Sequence, residues 1–155
     1  MKGKQGTPQL GLLRGRIRQE FVIQMAHVLV IDDDTVILSL VSGILEAHGH
    51  TVALAKDGRA GETIFGASHV DLIITDIVMA GQEGMATIGA IRRASPKVPI
   101  LAMSGSNTVG RYGSYLDAAK LLGANATLSK PITVDGLMQL VDRLLAPEGA
   151  HPHFE

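Results

Sequence analysis

At 155 residues, with 46% apolar and 19% charged side chains, the chain has the length of one domain and the means to bury a sizeable core. The absence of cysteine excludes disulfides and thiolate metal sites. A net charge of −1 gives no overall pull toward nucleic acid or a membrane surface, and with only 3% aromatic residues the core must be aliphatic.

Residues 1–24 carry Lys2, Lys4, Arg14, Arg16 and Arg18 against Glu20 alone, whereas the remainder holds nine basic and fourteen acidic residues. This stretch reads as an N-terminal extension, expected to be disordered and outside the chemistry, and Met25 is an alternative start. Leu13, Ile17 and Phe21 fall at helical spacing, so the sharper alternative is a short helix that docks on a partner or a membrane surface. No compact apolar stretch ends at a small-residue cleavage site, and no run is long enough to span a bilayer. The expectation is a cytoplasmic protein that contacts no membrane. The domain is expected over residues 25–147, with a frayed tail at 148–155.

From Met25 onward, apolar runs and helical patterns alternate five times. His27–Ile31 reads as the first strand. Val36, Ile37, Leu40, Val41, Ile44 and Leu45 mark a helix that stops at Gly49. Thr51–Ala55 is the second strand and Asp57–Ala67 a short helix. Val70–Thr75 is the third strand; Met85, Ile88 and Ile91 mark a helix ending before Pro96. Pro99–Met103 is the fourth strand. Tyr115, Leu116, Ala119 and Leu122 give a helix closed by Gly123. Ala126–Ser129 is the fifth strand, and Leu137, Leu140, Val141 and Leu144 give the last helix. The long glycine-bearing stretch from Asn107 to Leu122 is either a switch segment or a plain loop before its helix.

The strand runs lack clean alternation, as expected of parallel strands buried on both faces. Strand–helix alternation predicts right-handed crossovers in an α/β fold. Ligands of such sheets bind beyond the carboxyl ends of the strands. There the sequence places Asp32, Asp33 and Asp34 after the first strand, Asp76 after the third, Ser104 after the fourth and Lys130 after the fifth. Several carboxylates this close repel one another unless a cation intervenes. Hard oxygen ligands that leave room for a phosphate suit Mg²⁺. A lysine and a hydroxyl beside them suit phosphoryl oxygens. Taken singly, Asp34 reads as a helix cap, Ser104 as a turn residue and Lys130 as a loop lysine; their order along the chain argues for a site.

The stretches VLVIDDD (28–34), DLIITDIVMAGQEG (71–84), PILAMSGS (99–106) and LSKPI (128–132) resemble the receiver domain of bacterial two-component response regulators, over residues 27–145. The resemblance implies a CheY-like, flavodoxin-type sheet of five parallel strands in the order 2-1-3-4-5, flanked by five helices. It implies that Asp76 accepts a phosphoryl group from a sensor histidine kinase or a histidine phosphotransfer protein. Asp33 would ligate Mg²⁺ directly, Asp32 largely through water, and the Val78 carbonyl would add a ligand. Ser104 and Lys130 would hold phosphoryl oxygens. The protein would be a stand-alone phosphoprotein of a phosphorelay, not an enzyme, acting on a downstream protein through the face of the fourth helix, fifth strand and fifth helix.

The chain departs from the family pattern at three places. Ala80 stands where proline is common, although Gly84 is kept. Thr127 stands where an aromatic switch residue is expected. Val78 and Ser106 flank the path of an attacking water; an apolar Val78 implies slow self-dephosphorylation. Two rivals remain: a receiver-like interaction module that needs no phosphorylation, and a haloacid-dehalogenase-type phosphatase with Asp32 as nucleophile and Asp34 as acid. The phosphatase pattern lacks its later acidic pair, since only Asp135 and Asp142 follow Lys130, both within a helical pattern. No helix-turn-helix supports a nucleic-acid role. The histidines, among them His27, His48, His50, His69, His151 and His153, show no metal-ligand spacing.

Overall fold

The computed structural model describes residues 24–79, 83–105, 109–110 and 113–147. In chain order the elements are β1 (His27–Ile31), α1 (Thr35–Ala47), β2 (Thr51–Ala55), α2 (Gly58–Ala67), β3 (Leu72–Asp76), α3 (Glu83–Ala94), β4 (Ile100–Ser104), β5 (Val109–Gly110), β6 (Gly113–Ser114), α4 (Tyr115–Leu122), β7 (Ala126–Ser129) and α5 (Val134–Leu145). Five parallel strands form one sheet in the order β2-β1-β3-β4-β7, which is the predicted 2-1-3-4-5 order. The chain runs from β1 to β2 on one side and returns to β3 on the other. The direction of winding therefore reverses at β1, and a crevice opens beyond the ends of β1 and β3.

Alternate side chains of each central strand face opposite layers. Val28, Val30, Leu72, Ile74, Leu101 and Met103 pack under α1 and α5, against Leu38, Val41, Leu45, Leu137 and Val141. Leu29, Ile31, Ile73, Ile100 and Ala102 pack under the other helices, against Ile88, Ile91 and Ala119. All of β3 and β4 is buried. The expected double burial fails at the edges: of β2 only Ala55 is buried, and of β7 only Ala126. An edge strand lacks a neighbour on one side, so Val52, Ala53 and Leu128 pack against the core yet stay only partly buried.

Helix ends follow local chemistry. Asp34 caps α1 by accepting the Val36 N–H at 2.8 Å. Gly49 leaves that helix at φ 89°, a backbone state that glycine enters without a steric penalty. Asp57 lies outside α2 and caps it through the Ala60 N–H at 2.7 Å, so the helix starts one residue later than its sequence pattern indicated. Strands β3 and β4 each run one residue further than predicted, through Asp76 and Ser104. The stretch before α4 contains the short antiparallel pair β5–β6, where the sequence suggested a loop. Two-residue strands are too short for any alternation to show.

At the opposite end of the sheet, His50 is buried and its Nδ1 accepts the Ala26 N–H at 3.2 Å. Among the described residues no helix is long and apolar enough to cross a membrane. Ala80, Ser106, His151, His153 and the Leu13–Ile17–Phe21 pattern lie outside the described residues.

Candidate functional site

Parallel strands end on one edge, so Asp32, Asp76, Ser104 and Lys130 arrive at one crevice although they are far apart in sequence. Asp32 follows β1 directly and is fully buried. Both of its oxygens are engaged: Oδ1 accepts the Asp34 N–H at 2.9 Å and Oδ2 accepts from Lys130 Nζ at 2.9 Å. Asp76 is the last residue of β3 and Ser104 the last of β4; both are buried. The Lys130 N–H donates to the Ser104 carbonyl at 2.8 Å, which ties the ends of β4 and β7 together. The Lys130–Pro131 peptide is cis.

Asp32, Asp33 and Asp76 each offer a carboxylate oxygen within 4.8 Å of the others. Asp33 is exposed, so the cluster opens to solvent on that side. Two buried polar atoms at these strand ends have no hydrogen-bond partner among the described residues: Asp76 Oδ1 and Ser104 Oγ. Lys130 Nζ lies 3.5 Å from Asp76 Oδ1, close enough for charge attraction but long for a hydrogen bond. Unpartnered buried polar atoms are costly, and their pairing in one crevice points to a ligand that both would meet.

The electrostatics are those of an overcrowded anion site. Burial pushes the Asp76 carboxyl up to about 6; the Lys130 charge opposes this and the Asp32 charge adds to it. Burial alone would lower Lys130, but the Asp32 hydrogen bond and the Asp76 and Asp32 charges outweigh it and raise that ammonium above its usual value. The net positive charge missing from the cluster and the hard oxygen donors fit a divalent cation of the Mg²⁺ type.

The loop beyond β3 is held by close backbone packing. A Cβ on Gly84 would collide with the carbonyl oxygens of Asp76 and Ile77, so only glycine lets the start of α3 lie against the Asp76 peptide. Val78 sits on the rim with its side chain about half exposed. Thr127 lies in β7 opposite Ala102. Asp34 spends its carboxylate on capping α1, which removes the acid that a phosphatase reading assigns to it. What sequence reasoning missed is the Asp34 N–H as the group that orients Asp32; a backbone donor leaves no residue-type signal.

Residues 28–142 match the response regulator receiver domain family. The transcriptional regulatory protein GlrR of Escherichia coli is 32% identical over 122 residues, covering 77% of this chain and 26% of that protein. The transcription factor SKN7 of Saccharomyces cerevisiae is 33% identical over 119 residues, covering 77% of this chain and 18% of that protein. The chain thus spans about a quarter or less of the length of these relatives. Among solved structures, chemotaxis protein CheY4 of Vibrio cholerae superposes with a TM-score of 0.70 at 30% identity, over 78% of this chain and 99% of that one. NtrX of Brucella abortus gives a TM-score of 0.72 at 28% identity, over 78% of this chain and 27% of that one.

Proposed function

Because the chain belongs to the response regulator receiver family, we propose that Asp76 accepts a phosphoryl group from a phosphohistidine on a sensor histidine kinase or a histidine phosphotransfer protein, in a Mg²⁺-dependent phosphorelay. The observation that carries this reading is the pair of unpartnered buried atoms, Asp76 Oδ1 and Ser104 Oγ, beside the Lys130 ammonium. They present a nucleophile, a hydroxyl donor and a cation to one small volume.

Asp32, Asp33, Asp76 and the Val78 carbonyl are the groups that would hold Mg²⁺. Bound there, the ion would offset the repulsion between the carboxylates and an incoming phosphoryl group. The chain's own residues do the rest. An Asp76 oxygen forms the new O–P bond as the donor's N–P bond breaks, and that electron pair stays on the imidazole nitrogen. Ser104 Oγ donates to one phosphoryl oxygen and Lys130 Nζ to another. Positioning and charge neutralisation supply the acceleration, so the protein is a phosphoacceptor in signalling rather than an enzyme. Val78 offers no hydrogen bond to an attacking water, so loss of the acyl phosphate is slow. A cytoplasmic location goes with this reading.

Output is through protein docking or onward relay. The face of α4, β7 and α5 carries exposed Leu121 and Leu122, which suit an apolar protein partner. Thr127 replaces the aromatic ring that many family members swing, so any switch works without one.

Labelling with acetyl phosphate tests the reading, with and without Mg²⁺, on the native protein, Asp76→Asn and Asp32→Asn. The expected result is an acid-labile, Mg²⁺-dependent shift on a phosphate-affinity gel that disappears in Asp76→Asn. Label retained in Asp76→Asn but carried on Asp32 would replace the reading with phosphatase-type chemistry. No label from acetyl phosphate or from any histidine kinase would leave a phosphorylation-independent module.

A further inference from the structure

Thr75 is a hydroxyl in an apolar layer. It lies in β3, fully buried, and its register neighbours are Ile31 on β1 and Ala102 on β4. It shares the strand face on which Ile73 joins Ile88 and Ile91. Valine has nearly the same shape, and burying a hydroxyl in its place costs free energy unless a hydrogen bond offsets it. That bond is local: Thr75 Oγ1 donates to the Asp76 carbonyl at 3.1 Å. The one polar group of this side chain thus acts on the backbone of Asp76.

The peptide that joins Asp76 to Ile77 is held from three elements. Its carbonyl oxygen accepts the Thr75 hydroxyl of β3. Its N–H donates to the Met103 carbonyl of β4 at 2.9 Å. Gly84 of α3 lies against the same carbonyl oxygen, where an added Cβ would collide with it. A peptide unit is planar, so turning it moves the groups on either side together. Here those groups are the Asp76 carboxylate, just before it, and the Val78 carbonyl, one peptide later. No proline lies between Asp76 and Gly84, so no ring fixes the backbone of that stretch. Gly84 bars motion of the carbonyl toward α3 by contact, and the Thr75 hydroxyl adds an attractive hold on it.

We propose that Thr75 is a positioning residue: its hydroxyl holds the Asp76–Ile77 peptide, and through that peptide it sets where the Asp76 carboxylate and the Val78 carbonyl stand relative to Ser104 and Lys130. The inference rests on the function proposed above and adds to it a side chain that acts only through the backbone.

The test compares the native protein with Thr75→Val, Thr75→Ser and Thr75→Ala. Two quantities are measured: the rate of labelling by acetyl phosphate at saturating Mg²⁺, and Mg²⁺ affinity by isothermal titration calorimetry. Small misplacements of reacting groups lower rates steeply, so Thr75→Val is expected to slow labelling on the order of tenfold and to weaken Mg²⁺ binding. Thr75→Ser keeps the hydroxyl and is expected to stay near the native values. Thr75→Ser and Thr75→Ala both lose the methyl group and differ by one oxygen, so their ratio isolates the hydroxyl even if valine disturbs the packing; a ratio on the order of tenfold in labelling rate is expected. Native rates and affinity in Thr75→Val overturn the proposal. So do equal losses in Thr75→Ser and Thr75→Ala, which would assign the residue to packing alone. A native protein that binds Mg²⁺ but takes no label overturns the function proposed above and leaves Thr75 to be decided by the Mg²⁺ affinities of the serine and alanine variants. A native protein that does neither overturns both readings.

Discussion

The Lys130 ammonium is bonded to Asp32, at 2.9 Å, and stands back from Asp76, at 3.5 Å. The buried Asp32 carboxylate holds the lysine on one side of the crevice, away from Asp76 Oδ1. Removing the lysine strands a buried carboxylate; removing the Asp76 charge relieves a crowded anion site. The two substitutions therefore have opposite signs.

Lys130→Met is expected to destabilise the protein by ~3 kcal/mol, the scale for breaking a buried ion pair from one side. Adding Asp32→Asn to it should recover most of that loss. Urea denaturation of the two single variants and the double variant forms the cycle. Strictly additive losses would show that the pair is not coupled.

Asp76→Asn is expected to raise the stability of the metal-free protein at pH 7.5. Burial raises the Asp76 carboxyl from 3.8 to about 6, so the folded state holds its proton more tightly than the unfolded chain. That favourable contribution is complete below pH 3.8 and is lost as pH rises through about 6. At 1.36 kcal/mol per pH unit, the charged form costs roughly 3 kcal/mol at neutral pH. Melting curves should separate the variant from the native protein at pH 7.5 and bring them together near pH 4. Mg²⁺ should stabilise the native protein at neutral pH and lose its effect below about 6, where protons compete for the same oxygens. An equal gap at both pH values would sink this account.

His50 contributes with the opposite pH dependence. Burial lowers its pKa, opposed by the Asp142 charge and aided by His48; its Nδ1 accepts the Ala26 N–H, a role open only to the unprotonated nitrogen. A lowered base is at no disadvantage above pH 6.5, and its stabilising contribution is lost as pH falls below that value. His50→Gln keeps an acceptor without the titration. The difference in stability between native protein and variant, measured from pH 7.5 to 5, should change with pH in this sense. A pH-independent difference would refute the assignment.

Gly84→Ala is expected to cost about 1–3 kcal/mol, the range for an overpacked site whose neighbours cannot yield. The colliding atoms are the carbonyl oxygens of Asp76 and Ile77, so the strain falls on the Asp76 peptide itself. Labelling by acetyl phosphate should slow along with the loss of stability. Gly66→Ala is the control: nothing lies within 4 Å of an added Cβ there, and stability should be kept or slightly raised. Similar losses at both positions would exclude the backbone collision as the cause.

The resemblance to the receiver family implied the 2-1-3-4-5 order, and the sequence by itself determined the strand–helix alternation and the residues at the strand ends. Each is a local signal: short apolar runs, helical spacing, a glycine stop, and an acid, serine or lysine at a run's end. The tertiary structure alone decided which of those end groups meet. Lys130 and Asp32 are 98 residues apart, and their contact depends on the register by which β1, β3, β4 and β7 are laid side by side. It also decided that Asp76 Oδ1 and Ser104 Oγ have no partner among the described residues, that His50 is buried, and that Gly84 lies against the Asp76 carbonyl. Burial and hydrogen-bond satisfaction depend on what surrounds an atom, and here those surroundings are assembled from segments far apart along the chain.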